Sequence, residues 1–348
     1  MFNFLSDSAL RPKVISCISK YKSLSERQSL TVGFYYKGKL FILGNAEHLT
    51  LSYDIGSISK TINAHLILDL VEAGALRLNG HVSDYIELPR GEYPTIYQLL
   101  THTAGYKNLT PIEITVPALL RHGYARENIY GDCTCEKVIS CLNKRRRKAN
   151  TGYSYSDFGY AILAAVSEKV TGESFAELIT NFVKDKLVMT GTVISLPKEK
   201  RQPPAMLGGR QIDFWRWERG NPYIAGGGLV SNVVDMLKYI SLEIESSLPY
   251  IVNAHKICKD SLSENKNIAT CIGWHTYKKS NQLWHVGGVG TFRSSVIFNK
   301  KRKLGVVVLG NSKGVASANV HYLAKMLYSE MKINKINFKA ISEDADII

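Results

Sequence analysis

Strand-forming sequence gathers at the two ends of this 348-residue chain, and that separation limits the folds open to it. Near the start, Thr31-Val-Gly-Phe-Tyr-Tyr-Lys-Gly-Lys-Leu-Phe-Ile-Leu-Gly44 places two β-rich runs around Lys37-Gly38-Lys39, a connection of hairpin length. Toward the other end, Cys271 to Tyr277, Leu283 to Val286, Thr291 to Phe298 and Leu304 to Asn311 read as strands. Turn signals separate them at Ser280-Asn281, Gly287-Gly288 and Asn299-Lys300. Connections this short imply antiparallel neighbours. The middle has a different texture. From Leu76 to about Ala225 helical runs alternate with long polar loops, among them Thr95 to Thr103 and a clearer helix from Asp157 that stops at Thr171-Gly172. Further helices are expected over residues 7–28, Ser231 to Leu242 and Val315 to Met331. The expected class is therefore α/β (α+β): a central antiparallel sheet assembled from residues 1–75 and 226–335, flanked by helices. Residues 76–225 would form a helical lobe and residues 336–348 a loose acidic tail. A cleft between two lobes is a common place for a site.

Composition excludes several classes. Hydrophobic content of 45% and charged content of 21% are those of a globular chain, and no apolar run approaches the roughly 18 residues of a membrane span. The start of the sequence has no basic stretch leading into an apolar one, so a cytoplasmic location is expected. The six cysteines are too few and scattered for a disulfide scaffold, and reduced thiols are expected. Cys133, Cys135 and Cys141, with His122 nearby, fit no common zinc spacing, so neither metal nor cofactor is expected. The net charge of +14 raises nucleic acid as a partner. Its densest cluster, Lys144-Arg-Arg-Arg-Lys148, lacks interleaved aromatics, and no binding module accompanies it, so nucleic-acid binding is not expected.

One stretch carries chemistry. Ser57 and Lys60 stand three apart after Gly56 and lead into Thr61-Ile-Asn-Ala-His-Leu-Ile-Leu-Asp-Leu-Val-Glu-Ala-Gly74, apolar nearly all round between Leu66 and Val71. In a helix starting near Ser57, residues i and i+3 share a face, so the lysine amine lies over the serine hydroxyl. Burial lowers a lysine pKa and readies it to take the serine's proton. The bare Ser-x-x-Lys pattern also occurs at Ser19, Ser195 and Ser263, where it reads as solvated helix face or loop. Only at Ser57 does a glycine precede the pattern and a buried-type helix follow it.

Two other constellations suit the same cleft. Gly152-Tyr-Ser-Tyr-Ser-Asp-Phe-Gly-Tyr160 places Tyr155 and Asp157 at a helix entry. There Tyr155, its pKa depressed by a nearby lysine, shuttles a proton, or Asp157 simply caps the helix. Leu283-Trp-His-Val-Gly-Gly-Val-Gly-Thr-Phe-Arg-Ser-Ser295 reads as strand, glycine break and strand. Its glycines allow close backbone approach and leave an N–H free for an oxyanion, or they merely turn the chain beside a buried His285.

Taken together, Ser57-x-x-Lys60, Tyr155-x-Asp157 and His285-x-Gly287 resemble the three motifs of the serine β-lactamase and penicillin-binding protein superfamily. The resemblance is to the class C β-lactamase-like branch, with its DD-peptidases, D-aminopeptidases and esterases. Leu99-Leu-Thr-His-Thr-Ala-Gly105, Ala225-Gly-Gly-Gly-Leu229 and Gly305-Val-Val-Val-Leu-Gly-Asn311 fall in the family's order, and the likeness covers roughly residues 30 to 330. It implies a β-lactamase/transpeptidase-like fold, Ser57 as acylated nucleophile, Lys60 as its activating partner and Tyr155 as base or proton shuttle. His285 would stand where many relatives carry lysine, and the N–H groups of Ser57 and Gly288 would form the oxyanion hole. Asp157, Gly287 and Arg293 would face the substrate. Asp157 in place of asparagine, and histidine in place of lysine, look more like the esterase and peptidase members than true β-lactamases. The implied activity is hydrolysis or acyl transfer on an ester or amide of a small molecule or peptide. The alternatives are a peptidase or transpeptidase acting on D-residues or a peptide-derived metabolite, and a catalytically silent ligand-binding relative.

Overall fold

A computed structural model describes residues 2–22, 29–106, 128–144, 152–196, 214–256, 267–311 and 315–340, with a few positions between 111 and 120. Eight strands form one sheet in the order β1-β3-β2-β10-β9-β8-β7-β6. In chain order these are β1 (Phe2–Leu5), β2 (Leu30–Tyr36) and β3 (Lys39–Leu43). A separate pair, β4 (Ser52–Asp54) and β5 (Val230–Asn232), lies beside the sheet. Then come β6 (Ile268–Thr270), β7 (His275–Tyr277), β8 (Gln282–Val289), β9 (Phe292–Asn299) and β10 (Leu304–Gly310). All sheet pairings are antiparallel except that of β1 with β3. The sheet is thus assembled from both ends of the sequence, and β10 joins the halves by pairing β2 on one side and β9 on the other.

The β2–β3 hairpin forms where the sequence places it. Lys37 and Gly38 adopt φ of 48° and 88°, the left-handed pair that a two-residue hairpin turn requires. β10 sits centrally and is buried on both faces. Val307 and Leu309 enter the larger core under Val233–Glu245, while Leu304, Val306 and Val308 enter a second core under Pro12–Lys22 and Val315–Lys332. That two-sided burial explains its unbroken apolar run. Val14 and Ile18 bury the inner stripe of the Pro12–Lys22 helix as their spacing requires. A carboxylate of Glu330 receives Arg11 and Lys13, tying that helix to the Val315–Lys332 helix.

The central helices include Ile96–Leu100, Cys135–Lys144, Asp157–Thr171 and Phe175–Asn181. Thr95 and Gln98 form a capping box on the first. Ser156, one residue before Asp157, caps the third, and Gly172 ends it at φ 75°. Residue 157 is therefore inside the first turn, so the N-cap reading of Asp157 is corrected by one position.

Two further expectations are corrected, and one strand is added: β1 joins in parallel at the sheet edge, with Phe4 and Leu5 buried. Cys271 to Tyr277 is not one strand but parts of a β6–β7 hairpin, broken at Gly273, whose φ is 72°. Gly287-Gly288 does not turn the chain: β8 runs through both to Val289, and the reversal comes at Gly290. The acidic tail beyond residue 340 and the basic cluster from Arg145 to Lys148 lie outside the described residues.

Cys17, Cys133, Cys135 and Cys141 are reduced, whereas Cys271 is disulfide-bonded, which corrects the reduced-thiol expectation at that position. His122, the fourth group of the rejected metal site, lies outside the described residues. Among the described residues no helix is long and apolar enough to cross a membrane.

A buried charge cluster pins the Ser59–Glu72 helix to its neighbours. Glu243 accepts from His65 Nε2 at 2.5 Å and from His255 Nε2 at 2.6 Å. Burial raises the Glu243 carboxyl, but the two imidazoles outweigh it and hold the pKa down at about 2. A depressed carboxyl stabilises the fold above its unfolded value and loses that contribution as pH falls through its folded value. Glu243→Gln should therefore flatten the stability–pH curve between about 4.5 and about 2, as read by thermal melts across that window.

Candidate active site

Ser57 lies in a one-turn 3-10 helix, Gly56–Ile58, that feeds directly into the Ser59–Glu72 helix. This continuity puts Lys60 over the serine. Its Nζ donates to Ser57 Oγ at 3.1 Å, to the Gly226 carbonyl at 2.5 Å, and lies 2.6 Å from Asp157 Oδ1. The lysine side chain is wholly buried. Burial lowers its pKa, and the Asp157 carboxylate pulls the other way without cancelling that effect. An ammonium has three N–H bonds for these three oxygens. A neutral amine keeps two of them, for Gly226 and Asp157, and turns its lone pair to Ser57.

Asp157 is held at its other oxygen by the Tyr130 hydroxyl at 3.0 Å. The carboxylate therefore pairs with Lys60 rather than standing free toward a ligand. Tyr130 is stacked on Tyr223 at 4.3 Å, so the clamp comes from packed rings.

The Tyr155 side chain acts on Ser57 across the cavity, and its ring lies 4.9 Å from Lys60 Nζ. Its pKa is raised well above the usual value, by burial first and the Asp157 charge second. The depressed tyrosine expected from the neighbouring lysine is thus corrected: Asp157 neutralises the lysine's field, and desolvation opposes the phenolate.

His285, buried on β8, has its ring 6.4 Å from that of Tyr155. Its Nδ1 lies 2.8 Å from the Val286 carbonyl, which only accepts, so Nδ1 carries the proton and Nε2 keeps its lone pair. Burial, then His275 and Lys60, push its pKa well below the usual imidazole range. The ring is neutral at ordinary pH.

The Ser57 turn is pressed against β8. Gly56 has φ 53°, and a Cβ on it would lie 2.4 Å from Gly288 N. A Cβ on Gly287 would lie 1.9 Å from the Ile55 carbonyl. Ser294 Oγ donates to that carbonyl at 2.7 Å, locking the turn from the neighbouring strand. Both glycines are thus required for contact. β7 pairs β8 only from Gln282 to Trp284, and from His285 to Val289 β8 pairs with β9 alone among the described strands.

Arg293 pairs with Gly288 in register, and its guanidinium donates to the Gly290 carbonyl at 3.1 Å and the Phe292 carbonyl at 2.6 Å. Ser57, Tyr155, His285, Gly287, Gly288 and Arg293 all line one cavity of about 660 Å³.

His102 was not singled out from the sequence. It adopts φ 57°, accepts from the Ser156 N–H at Nδ1 (3.1 Å) and packs its ring on Tyr155 at 4.5 Å and a 33° tilt. It braces the loop that delivers Tyr155. The available signal was a histidine closing a capped helix within Leu-Leu-Thr-His-Thr-Ala-Gly. His275 and Tyr153 were missed for a plainer reason: nothing local marks residues that meet only across the cavity.

This sheet, covered on both faces and carrying a serine–lysine turn against an inner strand, is a β-lactamase/transpeptidase-like fold. It superposes on an octameric penicillin-binding protein homologue from Pyrococcus abyssi with a TM-score of 0.72 and 24% identity, covering 94% of this chain and 78% of that one. It matches a class C β-lactamase from Rhodobacter sphaeroides at 0.72 and 18%, covering 93% and 100%. The family described as Beta-lactamase matches residues 25–328, and the chain belongs to that family, hence to the serine β-lactamase and penicillin-binding protein-like superfamily. Protein flp of Staphylococcus aureus (strain N315) is 25% identical over 316 residues, 86% of this chain and 59% of that protein. Putative penicillin-binding protein PbpX of Bacillus subtilis (strain 168) is 28% identical over 222 residues, 62% of this chain and 52% of that protein. The chain thus spans little more than half the length of these two relatives.

Proposed function

We propose that the chain is a serine hydrolase or acyltransferase that cleaves an ester or amide through an acyl-Ser57 intermediate. The observation that carries this reading is the environment of Lys60 Nζ: fully buried, lowered in pKa and 3.1 Å from Ser57 Oγ. Neutral Lys60 takes the hydroxyl proton as Oγ bonds to the carbonyl carbon. The N–H groups of Ser57 and Gly288 receive the developing oxyanion. Tyr155, protonated because burial opposes its phenolate, passes its proton to the departing group and recovers one from Lys60. Water, or another acceptor, then attacks the ester carbonyl and restores the serine.

The neutral His285 bears on substrate choice. A cation at that position would attract a carboxylate, whereas an uncharged imidazole does not. Esterase or general amide hydrolysis is therefore favoured over recognition of a carboxylate-bearing β-lactam. The ligand-binding alternative is disfavoured because a silent protein gains nothing from a desolvated lysine beside a serine.

Intact mass after treatment with a fluorophosphonate, and separately with a penicillin, tests this reading. One fluorophosphonate adduct is expected on the wild-type chain and none on Ser57→Ala. A lasting penicillin adduct would move the assignment to peptidases. Penicillin consumed without an adduct would mean a β-lactamase. Folded protein left unlabelled by both reagents would leave only the silent binder.

A further inference from the structure

The cavity beside Ser57 continues past the catalytic groups to a wall made of rings. His275 stacks on His285 at 5.2 Å and 26°, and packs on Trp284 at 4.7 Å. Trp284 packs in turn on His321, again at 4.7 Å. Tyr153, from the loop that carries Tyr155, meets His275 edge-on at 6.2 Å and closes that end. All of these residues line the cavity. Two elements distant in sequence therefore supply its aromatic surface: the β7–β8 ribbon and the Tyr153 loop. His321 comes from the Val315–Lys332 helix.

The wall is also uncharged. Burial first, with His321 second for His275 and Lys325 second for His321, lowers each of these imidazoles to about 4. No carboxylate is among the described residues that line the cavity. Arg293 is the one cation in that lining, and one of its guanidinium nitrogens is turned to two backbone carbonyls. His321 is fixed rather than free to bind, since Nε2 meets Tyr277 Oη at 3.1 Å and Nδ1 meets Ser295 Oγ at 2.9 Å. The imidazoles serve as flat surfaces here, and burial inside aromatic neighbours is what keeps them so.

We propose that this part of the cavity is a subsite for an uncharged, ring-bearing substituent on the substrate, with Trp284, His275 and Tyr153 as its specificity-determining residues. Offset stacking and edge-to-face contact favour a flat ring over an aliphatic group of equal size. Placing a carboxylate there sets its desolvation against a wall that returns no charge. The inference deepens the hydrolase reading by naming the substrate class, but the subsite binds its ring whether or not Ser57 reacts.

Binding can therefore be measured without turnover. Titration of Ser57→Ala protein with phenylacetamide, octanamide and phenylacetate, followed by ligand-observed NMR, compares a neutral ring, a neutral chain of the same carbon count and a charged ring. Ring contacts with two residues predict that phenylacetamide binds at least roughly tenfold tighter than octanamide. It should also bind tighter than phenylacetate. Trp284→Ala and His275→Ala should each erase most of the ring preference. His275→Phe, which keeps a flat ring and guards against misfolding as the explanation, should retain it. Equal binding of the two amides, a preference for phenylacetate, or a ring preference that survives both alanine variants would overturn the subsite. Failure of the hydrolase reading would show separately, as absent fluorophosphonate labelling of the wild-type chain.

Discussion

Lys60→Met should fold and yet lose about a thousandfold in the rate at which Ser57 is acylated, the scale of a positioned general base. Methionine fills the buried channel left by the lysine stem without offering a proton acceptor. Stopped-flow labelling with a fluorophosphonate gives the rate, and circular dichroism confirms the fold. A labelling rate within threefold of wild type would remove Lys60 from the mechanism. The Asp157 partner supplies a sharper version of the same experiment. The carboxylate 2.6 Å from Nζ raises the lysine's pKa against the larger opposing effect of burial. Asp157→Asn removes the raising effect, so the Lys60 pKa falls further. Acylation needs the neutral amine, and its rate rises as pH climbs through that pKa. The acid limb of the pH–rate profile should accordingly move to lower pH in Asp157→Asn. A limb that stays put would mean that another group titrates, and one that moves upward would contradict the ion-pair account.

Gly287→Ala should damage the site although it alters no catalytic side chain. The added Cβ would sit 1.9 Å from the Ile55 carbonyl and 2.3 Å from Ser294 Oγ, and the nearer of these is backbone. Neither β8 nor the Ser57 turn can yield without breaking the Ser294–Ile55 hydrogen bond. Overpacking of this kind costs about 3 kcal/mol at the upper end of its usual range, a loss of several degrees in melting temperature. A displacement of the serine by about an ångström would lower acylation roughly a hundredfold. Gly38→Ala is the control. Its φ of 88° strains any side chain, but nothing lies within 4 Å of the added carbon, so acylation should be unchanged. Equal acylation in Gly287→Ala and wild type would mean that the close contact does not position Ser57.

The sequence carries the parts of this design that depend on neighbours in the chain. The Lys37-Gly38 hairpin, the Gly172 stop and the i, i+3 placement of Ser57 and Lys60 follow from local geometry, and each has its expected form. What the sequence hid depends on contacts made across the fold. Gly287-Gly288 reads as a turn because two glycines usually release a chain, while here they admit the Ile55 carbonyl. Tyr155 reads as a depressed phenol if only Lys60 is considered. Desolvation first and Asp157 second reverse the direction, and neither effect is visible before the loop and helix pack. β1 escaped notice because four residues at an edge carry too little periodicity to distinguish strand from loop.

The lock on the reactive serine also has a temporal meaning. Ser294 holds Ile55 across 239 positions of sequence, and β10 must enter between β2 and β9 before the sheet is continuous. A ribosome that has just released residue 60 has made both the serine and its lysine, but not the strands that shape their turn. Contacts of such long sequence separation form late, after the local helices and hairpin. The nascent chain therefore carries Ser57 and Lys60 without their finished turn through most of synthesis, and the nucleophile proposed above would gain its setting only with the completed sheet.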